Sequence, residues 1–216
     1  MYRKISLLMV GVLATLTLLT GCDVSSTGAT PTAVPQAGSA GTPGTGGDNS
    51  EAASYCTSNG GQVVTRYPTY AYGSSNPLRL SGSLPFCQFT ARDKSMIAIS
   101  LDTLYTDQPT LAALAYLQKP PMGKTPNTGA NPASFYCSQL GGSDLFGGVN
   151  ATGGGWASDE KNDPFNPLEA CIFPDLSTID SWGLTYHTNG TIRGTDLTKV
   201  IRYKPTDIPT PGAFGK

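Results

Sequence analysis

Five cysteines and one histidine are the residues of greatest chemical reach in this 216-residue chain. A thiol can be acylated, oxidised to a disulfide, bind metal or attack a carbonyl, and an imidazole can move a proton near neutral pH. Cys56 and Cys87 lie 31 residues apart and Cys137 and Cys171 lie 34 apart, while Cys22 stands alone near the N-terminus. Neither a C-x-x-C nor an H-x-x-x-H spacing is present, so no metal is implied, and no other pattern implies a cofactor. His187 would have to serve any hydrolase, but it precedes Thr188-Asn189-Gly190, a turn signal, and reads as a surface residue. Asp159, Lys161 and Asp163 alternate like a calcium loop, yet Lys161 takes a ligand position and the closing Glu is missing. The stretch "GGVNATGGGWASDEKNDPFNP" (147–167) therefore reads as a solvated surface loop. "MGKTP" (122–126) lacks the first glycine of a phosphate loop. Tyr67, Tyr70, Tyr72 and Trp156 are the candidate ligand contacts. They can stack on a sugar or a peptide, or fill a half-buried strand and cover the core.

The N-terminus must deliver these residues to their compartment. Arg3 and Lys4 precede an uncharged, mostly apolar stretch, Ile5 to Thr20, of 16 residues. That is short of the roughly 20 residues a membrane span needs and suits a secretory leader. Its end, Leu19-Thr20-Gly21-Cys22, resembles the lipobox of bacterial lipoproteins. The resemblance implies cleavage before Cys22 and a diacylglyceryl thioether on its sulfur, two acyl chains being enough for stable anchoring. It places the protein outside the cytoplasm, lipid-anchored to the cell membrane at the surface or in the periplasm. Residues 23–52 hold six Gly, four Ser, five Thr and three Pro and no aromatic residue. Such a segment cannot bury enough apolar surface to offset its ordering entropy, and it reads as a tether spanning ~30 Å. Without the leader, 12 basic residues face 15 acidic ones with no Lys/Arg cluster, which argues against nucleic acid as a partner.

The remaining cysteines sit in a repeated pattern. "SYCTSNGG" (54–61) is echoed by "FYCSQLGG" (135–142). Asn131 and Pro132 form a good helix start, Ala133, Cys137 and Leu140 share one helical face, and Gly141 stands at the stop. In the first copy Ser50 caps, Glu51 favours the first turn and Gly60 ends the helix. "CQF" (87–89) and "CIF" (171–173) follow, then alternating apolar residues, Ile97-Ile99-Leu101 and Trp182-Leu184-Tyr186, which predict half-buried strands. "TDQPTLAALAYLQKP" (106–120) predicts a helix capped by Asp107, and "TDLTKVIRYKP" (195–205) a helix or a strand. The expected fold is α+β: two tandem small units, each a short helix, a two- to three-stranded antiparallel sheet and a closing element. The boundaries are 1–21 leader, 22–52 tether, 53–119 first unit, 120–130 connector, 131–204 second unit and 205–216 tail. Four cysteines allow three disulfide connectivities, of which the duplication favours Cys56–Cys87 and Cys137–Cys171, one staple per unit.

"NPASFYCSQLGG", "CIFPD" and Trp182-Gly183-Leu184 together resemble the short bacterial envelope domain labelled a hemolysin, a domain of unknown function. Residues 131–186 match nearly every fixed element of its pattern, except that Leu176 replaces the usual Gly after Pro-Asp. The first unit keeps Tyr55, Cys56, Gly60, Gly61, Cys87 and Phe89 and lacks the rest, so it is a divergent copy. The resemblance implies an envelope location and no particular reaction, and the chain has none of the long amphipathic elements that pore formation would need. The expectation is a non-enzymatic binding or structural module whose partner is an envelope protein or glycan. A small inhibitor or stress-related envelope protein is the alternative, and a hydrolase using His187 comes last.

Overall fold

The computed structural model describes residues 49–124, 129, 131–144 and 153–205. Cys22, the leader, most of the tether, part of the connector and the tail lie outside the described residues. The first half runs α1 (Asn49–Ser58), β1 (Gln62–Tyr70), β2 (Leu78–Arg79), β3 (Leu84–Thr90), β4 (Met96–Ser100), α2 (Leu101–Tyr105) and α3 (Leu111–Gln118). The second runs α4 (Pro132–Gln139), β5 (Gly154–Ser158), β6 (Ala170–Ile172), β7 (Thr178–Asp180), α5 (Ser181–Thr188) and α6 (Leu197–Val200). The class is α+β with an antiparallel sheet, and α1 starts inside the segment read as tether, with Ser50 within the helix.

The disulfides join Cys56 to Cys87 and Cys137 to Cys171, each fully buried. The Gly-Gly pairs follow from them. Gly60 and Gly141, at φ +83° and +82°, take the left-handed conformation that ends α1 and α4. The second glycines have a different cause. A Cβ on Gly61 would collide with the sulfurs of Cys56 and Cys87, and one on Gly142 with those of Cys137 and Cys171. The chain turns from helix to sheet directly against each sulfur bridge, where only hydrogen fits.

The expectation of a separate small sheet in each half is corrected. One continuous sheet runs in the order β2-β1-β3-β4-β7-β6, and β5 pairs with β1. The halves meet where β4 pairs with β7 at Ile99 and Ile179. Ile99 also lies opposite Cys87 and Ile179 opposite Cys171, so the seam runs between the two staples. The tyrosine before each helical cysteine reaches outside its own unit. Tyr55 donates its hydroxyl proton to the Val200 carbonyl at 2.9 Å, and Tyr136 donates to the Pro120 carbonyl.

Both faces of the sheet are covered, so β4 is buried at every residue rather than at alternate ones. Helices α1 to α6 lie over the face bearing Cys87, Phe89, Ile97, Ile99, Cys171 and Ile179. A smaller cluster, Phe86, Met96, Ala98, Leu168 and Ala170, fills the opposite face with Trp156 and Phe165 packed on it. The solvated-loop expectation is corrected in part: residues 147–152 lie outside the described residues and 159–162 are exposed, but Asp163, its side chain 2% exposed, forms an ion pair at 2.9 Å with the fully buried Arg66. Arg66 further donates to Gln88 Oε1 at 2.7 Å and to Asn166 Oδ1 at 3.1 Å, pinning the segment across the sheet.

Two local expectations change, and one that was open between helix and strand is resolved. Trp182, Leu184 and Tyr186 belong to helix α5, not a strand. Asp180 caps it by accepting from the Trp182 amide, Gly183 packs against Ile97 with no room for a Cβ, and Gly190 at φ +85° stops it. Thr110, not Asp107, caps α3, and its first amides are also held by Asp175 Oδ2 and Ser177 Oγ. Residues 197–200 are helical, capped by Asp196. Leu176 sits at φ +65°, a conformation suited to the glycine of the resembled pattern.

Gly142→Ala, overpacked against sulfur, is expected to cost ~1–3 kcal/mol and more than Gly141→Ala in urea unfolding, because strain at Gly141 stays in the backbone. Asp163→Ala, which strands the Arg66 guanidinium, is expected to lower stability by ~3–5 kcal/mol, and Lys161→Ala to leave the midpoint unchanged.

Candidate functional site

A cleft of about 300 Å³ opens on the second face of the sheet, lined by Phe165, Pro167, Glu169, Asp180, Trp182 and Arg193 among others. Its geometry starts from α4 and α5. Asn131, the N-cap of α4, accepts from the Ala133 amide and uses its own amide to donate to Glu169 Oε1 at 2.6 Å. Ser134 Oγ donates to the same oxygen at 2.9 Å, and the Trp182 indole N–H donates to Glu169 Oε2 at 2.9 Å. Asn131, Ser134 and Trp182, three residues of the sequence pattern, therefore converge on one carboxylate. That carboxylate fixes the plane of the indole.

Asp144 stands behind Glu169, bonded to Ser134 Oγ at 3.1 Å and Ser181 Oγ at 3.4 Å. Burial, reinforced by the hydrogen bond and the charge of Glu169, pushes the Asp144 carboxyl up to about 8. Asp180 is 3% exposed, and burial raises it to about 6 against the opposing pull of the Trp182 and Gly183 amides and Arg193. Arg193 is half-buried, its guanidinium 4.8 Å from the centroid of the Tyr186 ring. It makes no ion pair and donates no side-chain hydrogen bond among the described residues.

Glu169, Asp144 and Arg193 were not legible as site residues. The available signal was Glu169 itself, a carboxylate between Leu168 and Ala170 just ahead of Cys171, in a run otherwise suited to burial.

The aromatic residues singled out from sequence do not gather into one surface. Arg79 lies 3.1 Å over the Tyr67 ring, Tyr70 is 49% exposed, and Tyr72 is half-buried. Trp156 pairs with Pro68, the neighbour of Tyr67, so the two rings point to opposite faces. Its indole packs edge-on against Phe86 at 5.9 Å, covering the smaller cluster.

His187 corrects the surface expectation. It is 2% exposed in the last turn of α5 and stacks on Tyr116 with ring centroids 3.6 Å apart. Neither ring nitrogen has a hydrogen-bond partner. Among the described residues no hydroxyl or carboxylate is hydrogen-bonded to it, as a hydrolase would need. Burial, with the nearby Lys119 charge, lowers His187 to about 4.

These groups set opposed pH limits. His187 is depressed below its unfolded value, so its contribution is complete above about pH 6.5 and is lost as pH falls through 4. Asp144 and Asp180 are raised, so theirs is present in acid and lost as pH rises through about 6 and 8. His187→Phe is expected to flatten the acid limb of the stability profile, by up to ~3 kcal/mol at pH 4. Asp144→Asn is expected to gain on the parent between pH 5 and 8. Urea midpoints measured across pH check both, and profiles parallel to the parent's would contradict the assignments.

Compared with family models, curated proteins and solved structures, the chain matches none.

Proposed function

We propose that this chain is an exported lipoprotein, anchored through Cys22, that carries a disulfide-stapled α+β module on a tether and binds an envelope component without catalysing a reaction. The observation that carries the reading is the pair of buried bonds, Cys56–Cys87 and Cys137–Cys171. Bonds of this kind form and persist in oxidising compartments outside the cytoplasm. The apolar leader ending at Cys22 supports the same compartment. Among the described residues no helix is long and apolar enough to cross a membrane.

The module is read as a duplication, akin to the hemolysin-labelled envelope domain. Matching registers support this. Gln62 pairs with Gln88 just past the first staple, and Ser143 bridges Ile172 just past the second. On that reading, the pairing of β5 with β1 and the bond from Tyr55 to Val200 join the copies into one body.

Metabolic labelling with a clickable palmitate analogue tests the anchor. The full chain should take up label and fractionate with membranes, and Cys22→Ala should lose both. Label retained in that variant, or never incorporated by the parent, would overturn the reading.

A further inference from the structure

The cleft beside Trp182 has features that select a ligand class. Its apolar part is a flat indole whose orientation is set at its polar edge by Glu169, with Phe165 and Pro167 nearby. The carboxylate that sets it is itself held by Asn131 and Ser134, so ring and acceptor are positioned before anything binds. Arg193 lines the same cleft as Glu169 and Asp180, and its half-buried guanidinium, with five N–H donors, makes no ion pair among the described residues.

A cleft lined by both donors and acceptors discriminates by charge. A compact anion would satisfy Arg193 and meet Glu169 and Asp180 as like charges. A compact cation would do the reverse, and either would leave desolvated polar groups unmatched. A neutral molecule whose adjacent hydroxyls each donate and accept satisfies both sets. If it also has a C–H face, it covers the indole. A pyranose ring has these properties. The volume, about 300 Å³, is at the small end for ligand clefts and suits a terminal sugar residue rather than an extended chain.

We infer that this cleft binds the terminal pyranose of a neutral envelope glycan, its ring face on Trp182 and its hydroxyls bridging Arg193 and Glu169. The inference rests on the binding-module reading and names its ligand class and site. It leaves Tyr67, Tyr70 and Tyr72 outside the contact, since none of them lines this cleft.

The test uses the full chain purified in detergent, with cellotriose, maltotriose and tri-N-acetylchitotriose as probes in saturation-transfer NMR and calorimetry. At least one trisaccharide is expected to bind, with transfer strongest at protons of its terminal ring. Arg193→Gln and Trp182→Phe should each weaken that binding tenfold or more, while Tyr70→Ala leaves it unchanged. Because Trp182 also supports Glu169, its variant counts only with a thermal midpoint near the parent's. Arg193, half-buried on a segment after α5, supplies the second, independent arm.

Binding of none of the three sugars would overturn the inference, as would sugar binding unaffected by Arg193→Gln. Binding of a lysine-rich peptide instead, lost in the same variants, would overturn the glycan assignment and leave a binding module standing. Failure of the palmitate labelling bears on the anchor alone, so the two readings fail separately.

Discussion

Each sulfur bridge ties the first helix of its half to the strand that leads toward the centre of the sheet. Cys56–Cys87 and Cys137–Cys171 are buried, and across the ladder from Cys87 and Cys171 stand Ile99 and Ile179, which face one another. A line from one bridge to the other passes through no polar side chain. Closing loops of 31 and 34 residues removes ~3–4 kcal/mol of unfolded-chain entropy apiece in the chain-entropy account. For a body of this size with only a few large side chains on its second face, that is a substantial share of the usual net stability. The Gly-Gly corners are a consequence of the same bonds, since the chain must pass the sulfurs at hydrogen-atom distance.

The second face rests on a different interaction. Arg66 and Asp163 are both withdrawn from water, a costly arrangement unless the remaining donors find acceptors. They do so in Gln88, Asn166 and the carbonyls of Trp156 and Phe165, leaving only Arg66 Nε without a partner. An apolar pair could have stabilised this face as well. The fan of directional bonds instead fixes where residues 154–168 cross the sheet, and so where the cleft opens beside Trp182.

Sequence revealed what depends on local chemistry. Asn131-Pro132 as a helix start, the left-handed Gly60 and Gly141, and the within-half cysteine pairs needed only neighbours and the repeat. The misreadings share another cause. Trp182-Leu184-Tyr186 alternates like a strand, but the Asp180 cap and Gly190 stop make it one short helix with Gly183 pressed on Ile97. His187 beside Asn189-Gly190 looked like a surface turn because the stop of a buried helix and a surface turn use the same residues. Asp163 looked solvated because its partner, Arg66, is nearly a hundred positions away. Glu169 acquires its role only through α4 and α5 meeting above it. Contacts across the seam are invisible to periodicity.

Anchoring and weak recognition fit together physically. A cleft of about 300 Å³ offers little apolar area, and the carboxyls and guanidinium in it must lose water before they gain a ligand, so a single contact would be weak. A lipid anchor changes the relevant concentration. On the proposed reading, copies confined to a membrane would meet a repetitive glycan as an array, and every additional contact would then be intramolecular. Under that arrangement a tighter single site would mainly slow exchange along the polymer. On the proposed reading the doubly stapled body holds the indole and its carboxylate in place, so affinity per site and reach would be set by separate parts of one chain.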